Sequence, residues 1–306
     1  HLFLFLVRYM SKSQTTYGGQ AVLEGVMIRG ERNVTVSVRT PSGQIRTRNK
    51  PINNAFTGRF RRMPLIRGVL ALSETLYLGM DSLAYSASIA TEEEEEQELS
   101  KWSIGSMITF SVAIAIGLFF LLPVIASKPF EAVGESHIIS NVAEGVIRLT
   151  IFFIYIVSIG FMSDIRRVYM YHGAEHMTVH AREMGDPLIP SAIRKYPTAH
   201  PRCGTAFLLT VMLVAILIFS LIPRDPLWWL ITSRIIFLPL IASFSYEIIR
   251  ASGQYADNIA VRLITLPSIW LQALTTKQPD DSQIEVAIAA MTGAIEADAE
   301  SAPLKP

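Results

Sequence analysis

The sequence predicts an α-helical membrane protein with about four transmembrane helices and a small α/β cytoplasmic module at the N-terminal end. Three observations carry this. Half of the 306 residues are hydrophobic, and the mean hydropathy of +0.36 is high for a chain that dissolves in water. Four long apolar runs lie between Trp102 and Phe244. The basic residues flanking those runs fall mostly on one side. The net charge of +1 argues for no class of partner. Cys203 is the only cysteine, which excludes an intrachain disulfide framework.

In chain order, residues 1–16 read as disordered or as an extension. The apolar stretch His1–Tyr9 is too short for a span and no basic region precedes it, so a start at Met10 is expected. Residues 17–63 read as a β-rich cytoplasmic module. Val34, Val36 and Val38 alternate with Thr35, Ser37 and Arg39, the pattern of a half-buried strand. Pro41-Ser42-Gly43 signals a turn, and Gln44–Arg48 could return as a second strand. In Tyr17–Met27, glycines bracket an apolar run that carries one carboxylate, Glu24.

Residues 64–100 read as an amphipathic helix and an acidic linker. Leu65, Val69, Leu72, Leu76 and Leu83 recur at helical spacing, but Arg67, Glu74 and Asp81 interrupt them. A helix on the membrane, or packed against the spans, fits better than a span. Glu92–Glu96 reads as a solvated linker. The four-span domain, residues 101–277, follows. Its spans are Trp102–Ala126, Val146–Phe161 (with the helix continuing through Arg166 and Arg167), Thr205–Ile222 and Leu227–Phe244. The first is long enough to cross about 30 Å of hydrocarbon. Trp228 and Trp229 would anchor the last one at the interface. The loop 127–144 holds one Lys and no Arg, and 223–226 holds one Arg. Arg166, Arg167, Arg182, Arg194, Lys195, Arg202 and Arg250 lie on the other side. This bias puts both termini and the His motif of a multi-pass membrane protein in the cytoplasm. In the tail, 278–306, Ile284, Ala287, Ile288 and Met291 could line a short helix, with disorder beyond Ala297.

The chemistry concentrates in a cytoplasmic loop, 168–204. His172 and His176 stand one helical turn apart and could share a metal ion. With Glu175 they form His-x-x-Glu-His, the inverted order of the zinc-protease helix, in which the Glu is the general base. His200 and Cys203 follow as two further ligands. Thiolate with imidazole favours zinc among divalent metals. Four protein ligands (His172, His176, His200 and Cys203) would make a closed structural site; three would leave a position open for catalysis. Glu175, or Glu24 brought in from the N-terminal module, is the candidate base. Glu247, near the cytoplasmic end of the fourth span, is a further candidate ligand, with Arg250 as its competing partner. His180 reads as a surface residue and His137 lies across the membrane. No phosphate-binding Gly loop, dinucleotide fingerprint or nucleic-acid signature is present.

Four motifs together give the chain a resemblance. They are Tyr17-Gly18-Gly19-Gln20-Ala21-Val22-Leu23-Glu24-Gly25-Val26-Met27, Tyr171-His172-Gly173-Ala174-Glu175-His176, Arg202-Cys203-Gly204, and Trp270-Leu271-Gln272-Ala273-Leu274-Thr275-Thr276-Lys277-Gln278-Pro279. Over nearly the whole chain from Tyr17 to about Met291 it resembles the YqhQ-like family of bacterial membrane proteins, described as predicted metal-dependent enzymes. The resemblance implies the architecture and a metal label, and names no substrate. The expected function is a metal-dependent membrane hydrolase with a divalent metal, zinc, at the cytoplasmic face. Its expected partners are membrane lipid and a lipid-linked or membrane-embedded substrate, with assembly as a homo-oligomer or membrane complex, and no nucleic acid. The rival reading is a non-enzymatic scaffold or assembly subunit with a structural zinc. A transporter is disfavoured because the spans offer few intramembrane charges.

Overall fold

The computed structural model describes residues 17–53, 63–90, 101–131, 137–201, 203–254 and 258–301. The extension 1–16, the Glu92–Glu96 run and Arg202 of the third motif lie outside the described residues.

The alternating valines form a strand, as their period requires. Four strands, β1 (Gly18–Val22), β2 (Gly25–Arg29), β3 (Asn33–Arg39) and β4 (Ile45–Pro51), make an antiparallel sheet in sequence order. The glycine-bracketed run is therefore a hairpin, with Glu24 at φ +50° in its turn. Gly43 takes φ +88° between β3 and β4, where a Cβ would be strained. One expectation changes here: β3 is covered on both faces, not half-buried. Thr35 and Ser37 are fully buried. Their hydroxyls are matched across the strand pair, Thr35 Oγ1 donating to Asn49 Oδ1 at 2.7 Å and Ser37 Oγ lying 2.8 Å from Thr47 Oγ1. The cover on that face comes from the far end of the chain.

On the opposite face, Val22, Met27, Val34, Val36 and Val38 pack with Leu78 of α1 (Ile66–Ala90). The helix is amphipathic as expected, but with the usual polarity reversed. It buries Gly68, Glu74, Gly79, Ser82 and Ser86, while Ile66, Val69, Leu76, Tyr77, Met80 and Leu83 face outward. Buried Glu74 is matched by Arg29, whose Nη2 donates at 2.8 Å. An outward apolar face suits a lipid-facing helix and costs a water-facing one.

The helical part begins with α2 (Lys101–Ile116), a π-turn over Gly117–Leu121 and α3 (Leu122–Ala126). It continues with α4 (His137–Ile159), α5 (Ser163–Met184), the short α6 (Pro190–Ile193), α7 (Thr205–Ser220), α8 (Leu227–Ile236), α9 (Leu238–Gln254), α10 (Ile259–Thr275) and α11 (Asp281–Glu300). Two helical stretches are long and apolar enough to cross a membrane, Thr109–Glu131 and His137–Ile159; the bent pair α8–α9, broken by 41°, would be a third. The chain is thus mostly helical with two or three candidate spans among the described residues. Helix α7 is apolar but has 16 residues, about 24 Å at the helical rise, short of a full core. The second run does not continue through Arg166 and Arg167. It stops at Ile159, where Phe161 and Met162 donate to the carbonyls three residues back, and α5 starts anew after an extended Met162.

The bundle also holds more charge than its sequence led us to expect. Glu144 accepts from Arg148 at 2.6 Å, Arg224 at 2.8 Å and Arg234 at 2.9 Å. Glu144, Arg224 and Arg234 are all buried. Arg148 and Arg234 come from within two apolar runs, so their partners could not be read from local sequence.

The tail does not become disordered at Ala297. Helix α11 runs to Glu300, opened by a capping box of Asp280 and Gln283. Ile284, Ala287 and Met291 are buried as their spacing predicts. They join Val26 and Ile28 of β2 and Tyr171, Ala174 and Met177 of α5 in one core. Asp298 fixes the end of this helix on the sheet, accepting the backbone N–H groups of Glu31, Arg32 and Asn33 at 2.6–3.0 Å. The sheet lies between α1 on one face and α5 with α11 on the other. The His motif sits at the middle of α5, beside that shared core.

Candidate metal centre

From Tyr171 to Ala181, α5 is buried at every position but the half-buried His172. One side meets the sheet and α11. The other is covered by residues 187–201, which fold back through α6, by Cys203 and by the end of α10. Gly173 permits the approach from α10: a Cβ there would lie 2.2 Å from the carbonyl oxygen of Lys277. The Lys277 N–H donates to Tyr169 O at 2.9 Å. The fourth motif therefore docks against the His helix, and its buried Gln272 accepts the His200 backbone N–H at 2.7 Å.

His172, His176 and Cys203 come together, each offering an atom within 4.8 Å of the others. His172 Nε2 is 3.2 Å from Cys203 Sγ. His172 Nδ1 lies 2.9 Å from Thr275 O, and His176 Nδ1 lies 2.6 Å from Thr198 O. A carbonyl only accepts, so each Nδ1 carries hydrogen and each Nε2 carries the lone pair. This is how ligating imidazoles are commonly oriented, with the outer nitrogen donating to the backbone. Burial holds His176 well below its ordinary pKa, helped by its neighbouring imidazoles. Burial also pushes the Cys203 thiol up. Buried His176 is thus a neutral imidazole and Cys203 a protonated thiol, and with His172 the set fits a borderline-soft divalent ion that displaces the thiol proton.

Glu175 lies beside this group rather than in it. Its Oε2 is 3.6 Å from His176 Nε2. It is 4% exposed, and burial raises its pKa to about 8, opposed by His172 and by the Gly19 backbone N–H. Gly19 was not singled out by sequence; a Cβ there would meet Met27 O at 2.3 Å and Glu175 Cγ at 3.1 Å. The first motif therefore contributes the strand edge that seats Glu175.

The structure does not bring every candidate here. The Glu24 carboxylate is held by Arg167 at 2.6 and 2.5 Å, and Tyr171 donates to it at 3.2 Å. The guanidinium thus occupies both of its oxygens. Glu247 is likewise separate. Its partner is Arg67, donating through Nε at 2.6 Å and through Nη2, across from the start of α1. His200 falls into a second group with His180 and Glu183, whose ligand atoms also lie within 4.8 Å of one another.

His180 is not a surface residue: it is fully buried, because the returning segment covers its face. His180 Nε2 lies 2.9 Å from Ala199 O. His200 Nε2 is 3.4 Å from Glu183 Oε2. Burial raises Glu183 to about 8 and lowers His200 to about 3. A signal was present in the sequence: His180 continues the four-residue register of His172 and His176, and His180-x-x-Glu183 repeats His172-x-x-Glu175 eight residues on. The two groups adjoin, with His176 and His200 ring centroids 5.6 Å apart.

Among the described residues, fold and site define a mostly helical chain with two or three helices apolar enough to cross a membrane, a four-stranded sheet and a buried His/Cys group. The chain belongs to the family described as "Protein of unknown function (DUF1385)", whose model matches residues 63–297. It is similar to "Uncharacterized protein YqhQ" of Bacillus subtilis (strain 168), 31% identical over 301 residues, or 91% of this chain and 92% of that protein. The expected YqhQ-like family is thereby established. No solved structure matches.

Proposed function

We propose that the chain is a metal-dependent integral membrane enzyme, a hydrolase working at the cytoplasmic face. His172, His176 and Cys203 would hold the ion, and Glu175 would be the general base. The observation that carries the reading is a group of three ligands with carbonyl-oriented imidazoles and a carboxyl just outside it. Three protein ligands leave a position open, as in catalytic zinc sites, whereas a structural site uses four. The scaffold reading needed His200 as the fourth ligand, and His200 groups instead with His180 and Glu183. A zinc ion there would supply Lewis acidity toward a carbonyl or phosphoryl oxygen. Glu175 would accept a proton from the attacking water and return it to the leaving group.

The same reading takes Thr109–Glu131, His137–Ile159, α7 and the pair α8–α9 as four spans, with both termini in the cytoplasm of a bacterial inner membrane. The basic residues around α5 and α6 support this orientation. The outward apolar face of α1 supports contact with lipid. Half-buried His172, beside the start of α7, makes a lipid-linked or membrane-embedded substrate the fitting one.

The test is Glu175→Gln, which keeps size and removes the base. Each variant is used to complement a deletion strain, with metal content and protein level measured in parallel. The enzyme reading expects normal metal content and lost complementation. Full complementation by Glu175→Gln would remove Glu175 as the base and favour the scaffold.

A further inference from the structure

We propose that the chain binds a second divalent cation, through His180, Glu183 and His200, beside the first. This extends the metal reading above to a neighbouring site, and the test below separates the two.

The three donor atoms lie within 4.8 Å of one another, and one pair stands at a co-ligand distance. Two nitrogen or oxygen atoms each about 2.1 Å from one tetrahedral ion stand about 3.4 Å apart. His200 Nε2 and Glu183 Oε2 are separated by 3.4 Å. A charge-assisted hydrogen bond between the two would be shorter, at about 2.7–2.9 Å.

The supports are built in. His180 and Glu183 stand one turn apart on α5, so their side chains share a face. His180 Nε2 at 2.9 Å from Ala199 O carries the hydrogen, which puts the ring's lone pair on Nδ1. His200 is held through its backbone by Gln272 at 2.7 Å. Ala199 and His200 are adjacent, so one short stretch both orients His180 and supplies His200.

The three donors also lie largely away from bulk water. His180 is fully buried and His200 is 4% exposed, while the Glu183 side chain is 12% exposed. A cation held there would compensate the Glu183 carboxylate once it gives up its proton away from bulk water. Two imidazoles and one carboxylate make a harder donor set than the thiolate group next door. It suits zinc, and iron or manganese better than the first site does.

Cobalt(II) titration of the purified full-length protein in detergent distinguishes the sites. Thiolate ligation gives a charge-transfer band in the near ultraviolet, and a His/Glu site gives only weak visible bands. Wild type should take up two equivalents, one with the band and one without. Glu183→Gln should take up one and keep the band. One equivalent in wild type, carrying the band, would overturn the second centre and leave the first standing. One equivalent without the band, lost in Glu183→Gln, would uphold the second and overturn the first. Two equivalents retained in Glu183→Gln, or no binding in wild type, would also sink the proposal. The wild-type count decides the matter even if the variant fails to fold.

Discussion

The backbone of Gly173 meets the carbonyl of Lys277 so closely that a Cβ on Gly173 would lie 2.2 Å from that oxygen. The contact brings the chain after α10 onto the His helix and sets Thr275 O within 2.9 Å of His172 Nδ1. Gly173→Ala must push the two apart. Overpacking of this kind costs about 1–3 kcal/mol. We expect a lower unfolding temperature in detergent and a weaker cobalt–thiolate band, because His172 loses its orienting carbonyl. An unchanged band together with unchanged stability would contradict this packing.

Glu144 is the sole carboxylate among the described residues that pairs with both buried Arg224 and buried Arg234. Removing one partner of a buried pair typically costs about 3–5 kcal/mol, because the other charge stays behind. Glu144→Ala should therefore strongly destabilise the protein or prevent its accumulation. Glu131 also pairs with Arg224, but its side chain is 49% exposed. Glu131→Gln should cost at most about 1 kcal/mol. Thermal unfolding of the two variants side by side checks the contrast.

Glu247 pairs with Arg67, so Glu247→Gln should leave metal content unchanged. Its effect should fall on the docking of α1 against α9, read as faster proteolysis of α1. A loss of metal in this variant would return Glu247 to the ligand set.

A reporter fused after Pro306 should read cytoplasmic, and one inserted near Glu135 should read external. A cytoplasmic reading at Glu135 would overturn the four-span arrangement and the side on which the His group lies.

The legible part of the site was the part with a local period. His172 and His176 are one turn apart, and Cys203 is the only thiol, so their convergence could be anticipated. The fates of Glu24 and Glu247 could not, because Arg167 and Arg67 are remote in sequence and pairing depends on tertiary placement. His180 had the right spacing, but its burial is created by residues 187–201 folding back over α5. The same holds for the sheet. Its valines announced β3, whereas the cover over Thr35 and Ser37 arrives with α11. Period and composition report which face of an element is apolar. They do not report which distant element covers the other face.

A metal at His172, His176 and Cys203 would be held by imidazole and thiolate together. X-ray absorption at the zinc edge of purified, zinc-reconstituted protein tests it most directly. The expected shell contains sulfur together with imidazole nitrogen, the sulfur disappearing in Cys203→Ser and bound zinc falling in His176→Ala. A protein that retains no transition metal after reconstitution, or a zinc shell without sulfur, would contradict it.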